Sequence, residues 1–324
     1  MDARLPEEAA GGYGAGLFSK RNNVMRHLLA GTATAVAILA ASGTAFAQSA
    51  ARPATPAARA AAAPATPAPP ATAEERQRLI AAGQRGILLY EIARAGQLTT
   101  QDMLARVPNP SEAGITGWIA MPEGAGMTVL YYAETPAGPV AVYRGQVAGG
   151  RIVSRDVFSG AGRPALPATQ RRMAAARAAV ATLDRQPCGG EFNVFVIPPA
   201  TADAPIDVYK TTPQTQRGRF PLGGHFLTTV APDGTVGAIR NFSNRCLDLE
   251  VPVALAGTQP RPLAVTHLTD SLPTEIHVFL SLWMNRPLLV ATGNPDRLWT
   301  ISRGRIGIVG ASTGARTPPP GPGR

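Results

Sequence analysis

Three histidines, His225, His267 and His277, are the side chains of this sequence whose chemistry and spacing best suit a reactive site. Neutral imidazole is a good zinc ligand, and a catalytic zinc site holds the ion with three protein ligands and one open position. Asp270 or Glu275 is a candidate oxygen ligand beside them. His267, His277 and Glu275 are also the candidates for metal-free acid and base catalysis. We favour the other interpretation, in which each histidine is a structural residue with hydrogen-bond partners and no cofactor is bound.

The local pattern places two of these histidines at a strand end and a helix start. Leu263–His267 has the composition of a β-strand, and Thr274 is a typical N-cap that puts His277 at the third helical position. Apolar residues such as Phe279 would then face the core. Apolar and polar residues also alternate over Glu275–Leu282, as in a strand, and this alternative stays open. We favour the helix.

This order of a strand ending in histidine and a helix capped by a hydroxyl residue resembles the JAB/MPN metallopeptidase family. The family's motif is His-x-His, then a serine and, three residues further on, an aspartate. His267 matches the second histidine, Thr274 the serine and His277 the aspartate, while Val265 replaces the first histidine and the spacing is one residue shorter. Glu191 is the candidate for the family's acid–base glutamate. The resemblance implies a related α+β fold and a degenerate or divergent metal-dependent hydrolase that uses His267 and His277.

Cys188 and Cys246 are the only cysteines in the chain. An even pair in an exported protein, each near a turn or strand end, predicts a structural disulfide. Closing a loop of about 58 residues stabilises a fold by about 4 kcal/mol through the denatured state. The alternative, a catalytic thiol, requires a neighbouring base, and no local arrangement of cysteine and histidine supplies one.

The N-terminal region has the features of a secretory signal peptide. Basic residues after Met25 precede an apolar run, Leu28–Ala41, and Ala45–Ala47 provides the small-x-small cleavage signature. The run of about 14 residues is shorter than a bilayer span requires, and no later segment is apolar for long enough. We therefore expect a periplasmic or secreted protein, translated from Met1 or Met25 and cleaved before Gln48. An uncleaved anchor is the alternative.

Positive charge dominates the exported part of the chain. The formal net charge is +10 overall, and 27 basic against 18 acidic side chains follow Ala47. Lys210 is the only lysine among them, so arginine supplies nearly all of this charge. Codon composition is the simplest explanation of the arginine excess. Outside the cytoplasm, a basic protein meets anionic lipid headgroups and cell-wall polymers, so anionic envelope components are the expected partners and nucleic acid is not.

Composition and turn residues divide the chain into five parts. They are a leader and signal peptide (1–47), a Pro/Ala-rich disordered tether (48–71), a helix with an antiparallel meander (72–163), an α+β core with the disulfide (164–310) and a disordered Pro/Gly tail (311–324).

The folded region is predicted to be α+β, with a mixed or mostly antiparallel sheet and a few packed helices. A first helix begins at the Thr72 cap and ends at Gly96, and a short second helix covers Thr99–Arg106. Strands are predicted over Phe220–Val230 and Thr235–Phe242, joined at the turn dipeptide Asp233-Gly234. The other predicted elements are a helix over Thr169–Asp184 and strands over Gly114–Met121, Met127–Glu134, Pro139–Val147, Arg151–Phe158, Phe192–Ile197, Ile206–Thr211, Leu288–Thr292, Arg297–Ser302 and Ile306–Val309.

The sequence favours a non-catalytic role. It has no Walker loop, no H-E-x-x-H motif and no zinc-type cysteine pair. Gly310–Gly314 matches G-x-S-x-G, but a proline-rich tail follows where a nucleophile elbow requires a helix. Pro273–Phe279 is also similar to stretches in uncharacterised exported bacterial proteins. We therefore expect a structural or binding domain of the cell envelope, with the JAB-like hydrolase as the alternative.

Overall fold

The computed structural model describes residues 70–251, 261–293 and 296–309. The predicted signal peptide, nearly all of the tether and the C-terminal tail lie outside these residues. The helices are α1 (Ala73–Arg106), α2 (Ala168–Ala181) and α3 (Glu275–Trp283). The strands are β1 (Ile115–Glu123), β2 (Gly126–Ala133), β3 (Val140–Ala148), β4 (Arg151–Val157), β5 (Asn193–Val196), β6 (Ile206–Thr211), β7 (Arg219–Pro221), β8 (Phe226–Val230), β9 (Arg240–Asn241), β10 (Asp248–Glu250), β11 (Leu263–His267), β12 (Leu288–Gly293), β13 (Asp296–Ser302) and β14 (Arg305–Ile308). Within the described residues the sheets are mostly antiparallel, which confirms the α+β class.

Helix α1 is one continuous helix of 34 residues, so the prediction of two helices with a break at Gly96 was wrong. Its start is as predicted, because Thr72 and Glu75 form a capping box. Gly96 marks close packing, since a Cβ there would lie 2.6 Å from Cη2 of Trp118. The Thr99 hydroxyl donates to the Ala95 carbonyl oxygen at 2.8 Å, which satisfies this hydroxyl inside the helix.

The meander β1–β4 forms an antiparallel sheet in the order β1-β2-β3-β4, as predicted. Alternate side chains of its strands point to opposite faces. Val129 and Tyr131 of β2 join the apolar cluster that includes α1, while Leu130 and Tyr132 join the cluster that includes α2. The sheet is therefore covered on both faces, and α1, which packs on one of them, forms one wall of the site described below.

The predicted strand Phe220–Val230 was wrong, because the chain forms two strands, β7 and β8, with a bend between them. Gly224 lies in this bend with a φ of 72°, and a Cβ there would collide with Sγ of Cys188. Only a glycine fits this conformation and this close approach. Strand β7 pairs with β10, which the sequence pattern did not indicate.

The predicted strand Thr235–Phe242 was also longer than the observed one. Only β9 is a strand there, and Val236 forms an isolated bridge with Val230. The hairpin itself is confirmed, since the Thr235 amide donates to Oδ1 of Asp233 at 2.9 Å and its carbonyl oxygen accepts from the Ala231 amide. Strand β9 then completes a sheet in the order β5-β6-β8-β9.

Another sheet includes β11, the strand that ends in His267, and packs with α3, the helix that carries His277. Strands β11 and β12 are parallel and α3 connects them, while β13 and β14 continue the sheet antiparallel. This connection places the carboxyl end of β11 next to the start of α3. Helix α1 packs against α3, so elements from both halves of the sequence meet here.

Cys188 and Cys246 form the predicted disulfide, with their α-carbons 5.3 Å apart. The bond ties the segment after α2 to the segment before β10, on either side of the bend at Gly224. Among the described helices, none combines the length and the apolar composition that crossing a membrane requires.

Candidate functional site

His277 is part of the N-terminal capping box of α3. The Thr274 amide donates to Nδ1 of His277 at 3.1 Å, and the Thr274 hydroxyl oxygen lies 3.0 Å from the same nitrogen. Histidine thus takes the place that Glu or Gln usually holds three residues after the cap. Because Nδ1 accepts from an amide, its lone pair is occupied and the ring proton lies on Nε2. The predicted cap and helical position are both observed.

His267, at the end of β11, is paired with Asp270. Its Nε2 donates to Oδ2 of Asp270 at 2.9 Å, and Nη2 of Arg240 donates to the other carboxylate oxygen at 3.0 Å. The hydrogen bond from His267 and the charge of Arg240 lower the pKa of Asp270 to about 2. This carboxylate is therefore ionised at any physiological pH.

The rings of His267 and His277 are in edge-to-face contact, with centroids 4.5 Å apart and planes at 82°. Both are buried, with 6% and 3% of their surface exposed. Burial lowers the pKa of His277 to about 3, and the neighbouring His267 acts in the same direction. His277 is consequently a neutral imidazole inside the fold. A small cavity of about 30 Å³ borders both rings, enough for about one water molecule.

His225 lies directly before β8 and is 1% exposed. Its Nε2 donates to the Pro221 carbonyl oxygen at 2.9 Å, and among the described residues its Nδ1 has no hydrogen-bond partner. Burial lowers the pKa of His225 to about 4. His225 also lowers the pKa of His277, so these two rings lie within electrostatic reach of each other.

The structure brings together His267, His277 and Asp270 but directs Glu275 elsewhere. Glu275 accepts a hydrogen bond from the Tyr209 hydroxyl at 2.9 Å and lies 3.6 Å from Nη1 of Arg240. Within the described residues, no group of three His, Cys, Asp or Glu side chains is arranged to hold a metal ion.

The two other positions named by the family resemblance add no metal ligand to these side chains. Val265 faces the same side of β11 as His267 and packs into the apolar core, where the missing first histidine would have to lie. Glu191 is exposed before β5, and no hydrogen bond or ion pair joins it to the described histidines.

Comparison with protein-family models, with curated proteins and with solved structures finds no match. The chemistry of the site therefore rests on its geometry.

A groove of about 290 Å³ opens beside Asp270 and Glu275. One wall is α1, the opposite wall is formed by β6, β8 and β9, and the start of α3 closes one end. The charged side chains that line it are three arginines and three carboxylates: Arg78, Arg85, Arg240, Asp207, Asp270 and Glu275. Unlike the histidine cluster, this groove is open to solvent.

Arg240 is the most firmly held cation of the groove. Its guanidinium binds Asp270, lies near Glu275 and stacks over the ring of Phe242 at 4.5 Å. Phe242 in turn stacks on Tyr209, with the centroids 6.1 Å apart. Burial and the nearby Glu275 raise the pKa of the Tyr209 hydroxyl, which remains protonated and donates to that carboxylate.

Sequence reasoning missed this groove, although part of the signal is present in α1. Arg78, Ala81, Ala82 and Arg85 follow the i, i+3, i+4, i+7 spacing of one helix face. Two small residues between two arginines leave room for a ligand on that face. The opposite wall comes from β6, β8 and β9, more than 100 residues later, and no local pattern reports this pairing.

Proposed function

We propose that this chain is an exported domain of the bacterial cell envelope with a binding or structural role, and that it is not a hydrolase. One observation carries the proposal: the Nδ1 lone pair of the buried His277 accepts a hydrogen bond from the Thr274 amide, so this ring has no lone pair left for a metal ion. A zinc ligand needs a free nitrogen lone pair and a catalytic zinc needs an open position. His277 has no free lone pair, because its Nδ1 caps α3. The cavity beside its ring has room for about one water molecule and leaves no open position for a substrate.

Export is supported by two independent features. The sequence after Met25 has the three regions of a signal peptide, and the folded part contains a disulfide. Disulfides form and persist in oxidising compartments such as the periplasm and the extracellular space. We propose that the Pro/Ala-rich segment, residues 48–71, then separates the folded domain from the cleavage site.

A metal-dependent hydrolase is the second candidate, and one observation favours it. His267 at the end of a strand and His277 at the start of the next helix lie in contact, in the order that the JAB/MPN family would require. Asp270 adds a carboxylate next to His267. This candidate requires His277 to release the Thr274 amide, which would open the first turn of α3.

Thermal unfolding of chelator-treated protein with and without equimolar zinc separates the two candidates. We expect the same melting temperature with and without zinc, because a ligand stabilises a protein only if it binds the native state. His267→Ala should lower the free energy of unfolding by about 1–3 kcal/mol whether or not zinc is present, since the variant leaves Asp270 without its buried donor. An increase in melting temperature with zinc, lost in His267→Ala, would establish the hydrolase candidate instead.

A further inference from the structure

We propose that the groove between α1 and β9 binds a small molecule through a phosphate group held by Arg78, Arg85 and Arg240. The inference rests on the proposed binding role and gives it a ligand class. The groove is at the lower end of the size range of ligand pockets, so it accommodates one phosphate and the small group attached to it.

The carboxylates of the groove already have protein donors, whereas some guanidinium donors have no partner. Asp207 already accepts from Arg85 and from the Thr229 hydroxyl, at 3.1 and 2.7 Å. Asp270 and Glu275 are likewise engaged by protein donors. The three carboxylates thus balance the charge of the three arginines, and each already accepts hydrogen bonds from the protein. They therefore do not call for a cationic ligand.

The arginines of the groove, in contrast, carry N–H donors that have no protein acceptor. Within the described residues, Arg78 has no hydrogen bond or ion pair and is exposed on α1. Nη1 of Arg85 is buried and also lacks a partner among these residues. Each guanidinium carries five N–H donors, and an unpaired buried donor is energetically costly. A ligand with acceptor oxygens would pair the buried Nη1 of Arg85, and the exposed Arg78 has no protein partner to give up before it binds such a ligand.

The positions of the three arginines favour a phosphate over a carboxylate ligand. Arg78 and Arg85 are seven residues apart on α1, which separates their α-carbons by about 10.5 Å along the helix axis. Arg240 reaches into the groove from the opposite wall. A tetrahedral phosphate presents oxygens in several directions, whereas a carboxylate accepts in one plane, so arginines on two opposite walls fit phosphate better.

Arg240 is held by protein partners before any ligand binds. Its guanidinium is held by Asp270 and stacked on Phe242, so little side-chain freedom is lost when it contacts a phosphate oxygen. Arg240 therefore fixes the position of the phosphate, and Arg78 and Arg85 bind it from α1.

Isothermal titration at constant ionic strength tests the site, with inorganic phosphate and glycerol 3-phosphate as probes and acetate as the carboxylate comparison. We expect saturable binding of both phosphates, in a 1:1 ratio, and none of acetate. Arg78→Gln should weaken phosphate binding at least about tenfold, because it removes charged hydrogen bonds to the ligand. Arg151→Gln is the matched control: it removes the same charge from an exposed position on β4 and should leave binding unchanged.

Vesicles of phosphatidylglycerol distinguish the source of the phosphate. If the natural ligand is a lipid headgroup, the vesicles bind the protein and Arg78→Gln releases it. If the ligand is a free phosphate compound, glycerol 3-phosphate binds and the vesicles do not. Both results support the phosphate site.

Absence of saturable phosphate binding, or equal weakening by Arg78→Gln and Arg151→Gln, would overturn the inference, as would binding of acetate alone. Arg78 has no protein partner among the described residues, so its replacement should leave the melting temperature unchanged and the variant folded. The zinc experiment reports on a different site, so a negative phosphate titration leaves the proposed function standing.

Discussion

Acid should destabilise this domain as the pH falls below about 6.5, because two of its histidines are buried in the neutral form. Burial lowers the pKa of His277 to about 3 and that of His225 to about 4, whereas a histidine in an unfolded chain titrates near 6.5. The folded state thus excludes protons that the unfolded state accepts. The stability that these neutral histidines provide is complete above pH 6.5 and is lost as the pH falls toward their folded pKa values.

The loss can be calculated from these pKa values. Each histidine that remains neutral in the fold costs about 1.4 kcal/mol per pH unit below 6.5. At pH 5 this amounts to about 2 kcal/mol for His225 and about 2 kcal/mol for His277, or about 4 kcal/mol together. A domain of ordinary stability has about 5–15 kcal/mol in total, so the effect should be large. Asp270, with a folded pKa of about 2, adds a separate loss below pH 4.

Urea unfolding at pH 8 and pH 5, followed by circular dichroism, measures this difference. His277→Gln is the informative variant, because glutamine can serve in a capping box at the same position but does not titrate. We expect the loss between pH 8 and pH 5 to fall from about 4 to about 2 kcal/mol in this variant. An equal loss in both proteins, or an unfolding free energy that does not change with pH in the native sequence, would refute the assignment of His277 as a buried neutral residue.

Two further predictions concern the covalent state of the protein. Replacing both Cys188 and Cys246 by serine should lower the free energy of unfolding by about 4 kcal/mol, the loop-closure value for this disulfide, and a loss below about 1 kcal/mol would contradict that role. N-terminal sequencing of protein recovered from the periplasm or medium should give Gln48 as the first residue, because signal peptidase cleaves after small-x-small sequences. Recovery of Met1 or Met25 would exclude cleavage at this position.

Local signals in the sequence were sufficient for much of the fold. The cap at Thr274 and the hairpin at Asp233-Gly234 depend on residues within a few positions of one another, and both are observed. The two strands that flank α3 were also predicted, since each is a short apolar run bounded by turn residues, but their parallel pairing was not.

The errors arose where a residue's role depends on a distant partner. Gly96 indicates a helix end by its type, but it is glycine because Trp118 packs against it. Gly224 interrupts a predicted strand because Cys188 approaches it from the disulfide. Both contacts join segments that are far apart in the chain, and no local pattern reports them.

The same distinction between local and distant contacts applies to the candidate site. Thr274 and His277 were placed correctly because their relation is local to α3, and the edge-to-face contact of His277 with His267 follows from the connection of α3 to β11. The arginine groove was not predictable, because Arg240 meets α1 only after the β-sheet that carries it has packed against that helix.

The central claim is that the histidine cluster supports the fold and does not bind a catalytic metal. Long-range nitrogen-15 NMR of the histidine side chains tests it most directly, because it reports which ring nitrogen carries the proton. At pH 7 we expect His277 to show an unprotonated Nδ1 and a protonated Nε2, with no change when equimolar zinc is added. A protonated Nδ1, or zinc-dependent shifts of the nitrogens of His267 and His277 together, would contradict the account.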